Sequence, residues 1–438
     1  MAKEAELGWP MEEYYDSPIP AERRQPIWHV WAAVVGFFFI FANIFVGGAI
    51  GAGMSLANAI WAVVIAVVIY AVLATIQGVM AQRTGLPLGQ NIRIAFGPWG
   101  SYVYNLFGAF IGIAWYAITL NFTGLILEGL WGINYYLTVA VFGIIFWACV
   151  YYGFRPITIV GYIASIFAVV VGAMILTRGI DMAGGISAIA AVPIMGQPLP
   201  MAMGVVILLG AFIHGLTHNI QDWTRWGKSQ GTMIAMLLPS VVLGMGFMFM
   251  LGVFSIKIIG QPDITQLGAA VGMLTLGGIM LLLLTWSTLN PTLYGSSMAF
   301  SSAFLMKRTH SVILWGVIGL ALSLVRPFTF IQPWLIILGT VIPCAVGCII
   351  AHYWLIHRGR YPDAKYLIPG QLPPEQMAKR NPVTIAVLIG FVVSVTLSFL
   401  DGNFRWFMPP VTGIVSALLI TWLVGWVMKE KIEVPAEA

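Results

Sequence analysis

The chain has 438 residues, 60% of them hydrophobic and only 8% charged, with a mean hydropathy of +0.92. Soluble domains carry about a quarter charged residues, so a water-soluble globule is excluded and a polytopic membrane protein is implied. The net charge of +5 matters through its placement along the chain and gives no sign of nucleic acid as a partner. Three cysteines (Cys149, Cys344, Cys348) all lie in apolar stretches, which leaves no disulfide framework or zinc ribbon. Cys344 and Cys348, one helical turn apart, read as small packing residues.

Apolar stretches long enough to cross a bilayer recur almost end to end. Twelve predicted spans, numbered in chain order, cover residues 29–54, 59–81, 98–126, 132–153, 156–178, 201–224, 231–257, 267–291, 309–326, 330–354, 382–400 and 408–428. Residues 1–28 carry Glu4, Glu6, Glu12, Glu13, Asp16, Arg23 and Arg24 before any apolar run. They read as a retained cytoplasmic tail rather than a signal peptide. Residues 29–178 form a first set of five spans, 201–354 a second set, 382–428 two additional spans, and 429–438 a C-terminal tail.

Basic residues set the orientation. With twelve spans, one side of the membrane holds only Arg178, Lys257, Arg326 and Arg405 of the 21 basic residues. The rest, Arg83, Arg225 and Lys228 among them, share the other side with both tails. Both termini are therefore expected in the cytoplasm, and the pattern points to a bacterial inner membrane. Apart from Asp222, near the end of span 6, every carboxylate falls in tails, loops or span ends. An intramembrane metalloenzyme would need clustered His or carboxylate ligands at depth. A proton pump would need buried acids.

Non-helical backbone is tolerated in a bilayer only where it lines a protected cavity, which singles out glycine clusters inside spans. Span 1 places Asn43 between Gly36 and the Gly47-Gly48, Gly51, Gly53 zone; span 6 runs Gly210-Ala211-Phe212-Ile213-His214-Gly215-Leu216-Thr217-His218-Asn219. Five spans separate the two, as expected of inverted repeats with half-helices meeting at the midplane. Close helix packing accounts for such glycines equally well. Span 8 carries Leu284-Thr285-Trp286-Ser287-Thr288-Leu289-Asn290-Pro291. Its hydroxyls and the Leu284 carbonyl point the same way, offering hard, neutral oxygens to a cation such as Na⁺. Bonding of those hydroxyls back to their own helix is the competing reading.

Asn219-Ile220-Gln221-Asp222-Trp223-Thr224-Arg225 resembles a signature of the nucleobase–cation symporter-1 family, and other stretches resemble its cytosine-permease branch. These are Arg83-Thr84-Gly85-Leu86 with Phe96-Gly97, Val46–Gly53, Leu293-Tyr294-Gly295-Ser296 after span 8, and Ile342-Pro343 through His352-Tyr353. Pro18-Ile19-Pro20 with Arg23-Arg24 resembles the family's entry motif. The likeness runs through essentially the whole chain.

The resemblance implies an all-α, twelve-helix membrane protein with a leucine-transporter-type five-plus-five inverted repeat and two extra C-terminal helices. It implies uptake of a nucleobase or related planar heterocycle by cation symport. The family's substrate ring lies between aromatics that match Trp115 and Phe212 here. Its cation site matches the carbonyls of Phe37, Ile40 and Leu284 with the hydroxyls of Ser287 and Thr288, so sodium is the expected coupling ion and no other cofactor is implied.

Several positions depart from the cytosine-permease pattern. Gly112 replaces a Gln, Leu284 and Leu289 replace Asn residues, His214 replaces a Ser, and Ala211 replaces another. A site that hydrogen-bonds its substrate discriminates strongly through those groups, so these changes put cytosine itself in doubt. Replacement polar groups are Asn43, Thr119, His214 and Asn290; Thr119 shares a helix face with Trp115. Two alternatives are a proton-coupled carrier using His214 or His218 and a non-transporting membrane sensor. Asp222 and Arg225 read as a charge pair at the cytoplasmic mouth, structural or gating. The expected partners are the heterocycle, sodium and lipid, and a monomer is compatible with the pattern.

Overall fold

In hydrocarbon each backbone polar group must be satisfied within its own segment, so a lipid-spanning chain of this composition is helical. The structure, a computed structural model, describes residues 14–218, 220–326, 331–361, 385–404 and 406–431. Within its helices the side chains of residues 27–29, 32, 33, 154, 155, 211–214, 216–218 and 331–336 lie outside that description. Among the described residues nine helices are long and apolar enough to cross a membrane; they carry predicted spans 1–3, 5, 7, 8 and 10–12. Predicted spans 4, 6 and 9 correspond to the shorter apolar helices Tyr135–Tyr151, Met201–Gly210 and Arg308–Leu324.

The helix ends follow local chemistry. Span 2 (Leu56–Thr84) starts where the Ser55 side chain accepts from the Asn58 amide and stops at Gly85, whose φ of 68° suits only a residue without a Cβ. Span 3 (Leu88–Trp131) bends at Gly97, with φ 71° and ψ 177°, just before Pro98. Outward faces carry large apolar side chains such as Ile166 and Leu243, each 65% exposed, as contact with lipid requires.

Three expectations need correction. Span 1 does break, but between Ile27–Phe38 and Phe41–Gly53, at Phe39–Ile40 rather than at a glycine cluster. Its glycines pack: a Cβ on Gly47 would overlap the Phe249 carbonyl of span 7, and one on Gly252 would overlap the Ile44 carbonyl. Span 6 is helical without interruption over Met201–His218, and a Cβ on Gly339 of span 10 would rest 3.8 Å from the Gly210 Cα. Small residues here admit a neighbouring helix. Span 8 does not stop at Pro291 but continues over Leu274–Phe304. Leu293–Ser296, read as following the span, is buried inside it. Its hydroxyls are satisfied on the helix itself, Ser296 donating to Thr292 O (2.9 Å) and Ser297 to Leu293 O (2.7 Å).

Spans 3 and 8 lie against each other over most of their length, and Cβ atoms on Gly89 and Gly112 of span 3 would overlap Ser302 and Ser296 of span 8. Spans 11 (Ile385–Phe404) and 12 (Pro409–Val427) pair with each other. Span 12 also rests on span 10 (Ile331–Ile350), where a Cβ on Gly347 would meet the Leu418 amide at 3.1 Å.

Candidate substrate and cation site

At the break in span 1, Phe39 (φ −83°, ψ 62°) and Ile40 (φ −90°, ψ 131°) leave the helical region. The Phe39 amide donates to Val35 O at 3.3 Å and ends the N-terminal half; the Asn43 amide donates to Ile40 O at 3.1 Å and begins the C-terminal half. The last carbonyls of a helix have no intrahelical donor and carry its negative pole. That places the Phe37 carbonyl at the negative end of one half-helix. The Ile40 carbonyl has two lone pairs and can serve both the Asn43 amide and a cation.

Span 8 supplies the other part. Ser287 Oγ donates to Leu284 O at 3.0 Å and Thr288 Oγ1 donates to the same oxygen at 2.8 Å. Two hydroxyls therefore converge on one carbonyl oxygen, and all three residues are at most 3% exposed. Back-bonding, the competing sequence reading, is realised here. It turns both hydroxyl protons onto the helix and leaves each oxygen its acceptor capacity. Leu284 shares an apolar cluster with Val35, Phe39, Phe41 and Ile44, and span 8 lies against both halves of span 1.

The proposed heterocycle residues are distributed unevenly. Trp115 is half-buried on span 3 against Ile111 and, across to span 10, Leu338 and Ile342. Thr119, one turn on, is 4% exposed. Asn43 opens the C-terminal half of span 1 at 1% exposure, and its Nδ2 has no hydrogen-bond partner among the described residues. Gly112 leaves no room for the Gln of the cytosine permeases, since a Cβ there would meet Thr292 O at 2.8 Å. Asn290 is engaged elsewhere: with its amide turned to satisfy both ends, it donates to Phe146 O at 3.1 Å and accepts from Trp286 Nε1 at 3.2 Å. Phe212, His214 and His218 belong to the backbone of span 6, and their side chains lie outside the described residues.

A second polar region, at the membrane face that carries the N-terminal segment, holds Asp222 and Arg225 as the sequence expected, but with an amide ladder beside them that sequence reasoning passed over. Asp222 Oδ1 accepts from the Leu88 amide at 3.0 Å, capping span 3 and complementing its positive pole. Arg225 donates through Nε to the Asp222 main-chain oxygen (3.1 Å) and through a terminal nitrogen to Tyr14 O (2.8 Å). Behind them an amide ladder crosses three spans, Asn91 Nδ2 donating to Gln221 Oε1 at 2.8 Å and Gln221 Nε2 to Gln77 Oε1.

Residues 14–25 lie across these ends. Tyr15 O accepts from Gln90 Nε2 (3.2 Å) and Ser302 Oγ (2.9 Å), the Ile19 amide donates to Gly85 O (3.0 Å), and the Gln25 amide donates to Trp226 O (2.6 Å). The available signal was the placement of Gln77, Gln90 and Asn91 in or beside apolar spans, where an uncharged amide is costly unless bonded.

A broken span inside a helical membrane bundle is a feature of membrane carriers, and solved structures share this fold. Mhp1, a nucleobase-cation-symport-1 family transporter in a closed conformation with bromovinylhydantoin bound, superposes with a TM-score of 0.82 at 20% identity over 96% of each chain. The inward-facing conformation of Mhp1 gives 0.74 at 21% identity, covering 94% of this chain and 93% of that one. A substrate-bound, outward-open Na⁺-coupled sialic acid symporter gives 0.66 at 14% identity, covering 92% and 90%. The fold is thus of the leucine-transporter type.

Residues 18–425 match the family described as permease for cytosine/purines, uracil, thiamine, allantoin, and the chain belongs to that family. It is a multi-pass membrane permease and not an enzyme. The cytosine permease of Escherichia coli (strain K12) is 26% identical over 348 residues, which cover 80% of this chain and 82% of that protein.

Proposed function

We propose that the protein is a Na⁺-coupled importer of a planar, nucleobase-like heterocycle, working by alternating access in a bacterial inner membrane with both termini in the cytoplasm. The observation that carries this reading is the convergence of the Leu284, Ser287 and Thr288 oxygens beside the Phe39–Ile40 break. A cation there, completed by the Phe37 and Ile40 carbonyls, ties span 1 to span 8 and favours the state that accepts substrate. The Na⁺-coupled sialic acid symporter of the same fold supports the choice of ion.

Trp115 and Phe212 stack on the heterocycle, while Asn43, Thr119 and His214 provide its hydrogen bonds. Asn43 suits this role because its buried Nδ2 has no partner among the described residues, and such a donor is expensive to leave unmade. The bonds of Asn290 to Phe146 and Trp286 favour a packing role over a substrate contact. The exclusion of a Gln side chain at position 112 points to a heterocycle recognised differently from cytosine.

The test is uptake into proteoliposomes of labelled cytosine, uracil, purines, hydantoins, allantoin and creatinine under an inward sodium gradient, a pH gradient with choline, or neither. Concentrative uptake of one heterocycle under the sodium gradient alone is the expected result. Uptake that follows the pH gradient and ignores sodium overturns the coupling assignment, and no uptake of any member of the panel overturns the substrate class.

A further inference from the structure

Neither Phe39 nor Ile40 is a helix breaker, so something outside span 1 must hold its break open. Span 7 follows both halves of span 1. On the N-terminal half, Trp31 Nε1 donates to Ser240 Oγ at 3.1 Å. On the C-terminal half the two backbones approach so closely that Cβ atoms on Gly47 or Gly252 would overlap opposing carbonyls. Between these contacts span 7 is itself irregular, running as an α-helix over Gln230–Ser240, a π-helix over Val241–Met245 and an α-helix again over Gly246–Ile259.

Pro239 supplies the local cause, since it removes one ladder hydrogen bond and crowds the carbonyl four residues back. A π turn inserts a residue and shifts the helical phase, which lets one helix stay in register with two half-helices of different direction. At that level stands buried Gly244, where a Cβ would fall 2.8 Å from Phe38 Cβ and 3.4 Å from both the Phe38 carbonyl carbon and Phe39 Cε2. Phe38 is 1% exposed and the contacting atoms are a Cβ and backbone, so the neighbour has no flexible end to swing away.

We propose that the π turn of span 7 is the template that holds span 1 broken, with Gly244 as the positioning residue that sets where the Phe37 and Ile40 carbonyls stand relative to Ser287 and Thr288. This rests on the sodium reading above for its functional consequence but not for its structural content. Gly244 does not touch the cation; it acts through Phe38.

The experiment compares Gly244→Ala with Gly246→Ala. Both make the same chemical change in one helix, but a Cβ on Gly246 has only Val67 near it, at 3.9 Å. Two readouts are taken: the sodium concentration that half-saturates heterocycle binding, and amide exchange of residues 39–43 in sodium-free buffer. The template account expects Gly244→Ala to raise the sodium requirement by about tenfold and to alter exchange at the break, with Gly246→Ala within about twofold of wild type.

Wild-type behaviour in both variants, or equal shifts in both, overturns the proposal. A wild-type protein that binds heterocycle without sodium dependence refutes the sodium reading instead, and the exchange comparison then decides the template alone. Should Gly244→Ala fail to fold, Ser240→Ala removes the Trp31 contact to the same template. It is expected to move both readouts in the same direction by about threefold, and an unmoved pair of readouts overturns the proposal.

Discussion

The midplane break and the N-terminal mouth, two polar regions of one helix bundle, are built on different principles. At the midplane the polar atoms are largely backbone: a break in span 1 and the Leu284 carbonyl, joined by two hydroxyls. At the mouth they are side chains from separate spans, Gln77, Asn91, Gln221 and Asp222, bonded to one another, to the cap of span 3 and to residues 14–25. Backbone oxygens can hold a cation without burying a charged side chain, whose desolvation is expensive. A side-chain ladder can be taken apart and exchanged for water, which suits a closure. That ladder leaves Gln77 Nε2 and Asn91 Oδ1 without partners among the described residues, and a partly satisfied network is not locked into one state. On the proposed function, ion coupling belongs to the midplane and closure to the mouth.

The strongest test of that division is removal of both span 8 hydroxyls. With Ser287 and Thr288 replaced by alanine, two oxygens are lost at about 1 kcal/mol each. The sodium concentration for half-maximal uptake then rises by about thirtyfold at about 1.4 kcal/mol per tenfold, while protection of residues 14–25 from amide exchange is unchanged. Undiminished sodium stimulation in this double variant would remove span 8 from the cation site.

Trp115→Ala comes next. Loss of stacking, about 0.5–1.5 kcal/mol beyond area burial, together with the lost area lowers heterocycle affinity by about tenfold or more at unchanged expression. Preserved affinity takes Trp115 out of the site. At the mouth, Asp222→Asn removes the charge that caps span 3, an effect of about 1 kcal/mol. Amide exchange at Ile19 and Gln25 should quicken by about fivefold with the sodium requirement unmoved; a change confined to sodium would invert the assignment of the two regions.

How much of this was legible in the sequence follows from the range of the contacts. The spans and their approximate ends were legible because apolar runs are local. The cluster of hydroxyls around the Leu284 carbonyl on span 8 was also legible, because Leu284, Ser287 and Thr288 lie within one turn. The position of the break was not: Phe39 and Ile40 carry no breaking signal, while the glycines that attracted notice at 47–53 serve the contact with span 7. Pro291 misled in the opposite direction, because the serines after it are satisfied by their own helix and buried against span 3. At the mouth, Asp222 and Arg225 were legible, but the amide ladder beside them was not, because it joins residues more than a hundred positions apart.

A pH dependence separates the mouth from its surroundings. Glu430, just past span 12 on the same face, accepts from the Ile385 and Ala386 amides at the start of span 11, yet burial pushes its carboxyl up from 4.5 to about 7. An acid whose folded value is raised contributes stability below its unfolded value and loses that contribution as pH rises through the folded one. The unfolding temperature should therefore fall as pH rises from 4.5 to 7, and Glu430→Gln should flatten this slope without altering sodium stimulation. An unchanged slope in the variant would assign the pH dependence elsewhere.

The most direct test of sodium coupling at the midplane is the thermal stability of the detergent-purified protein across a panel of nucleobases and related heterocycles, in sodium and in choline. A ligand that binds only the folded state raises stability by about 2.7 kcal/mol at a hundred times its dissociation constant. The account predicts that one heterocycle stabilises the protein and that sodium deepens the shift, by raising the affinity through the shared break in span 1. A heterocycle that stabilises the protein equally in sodium and in choline would contradict it.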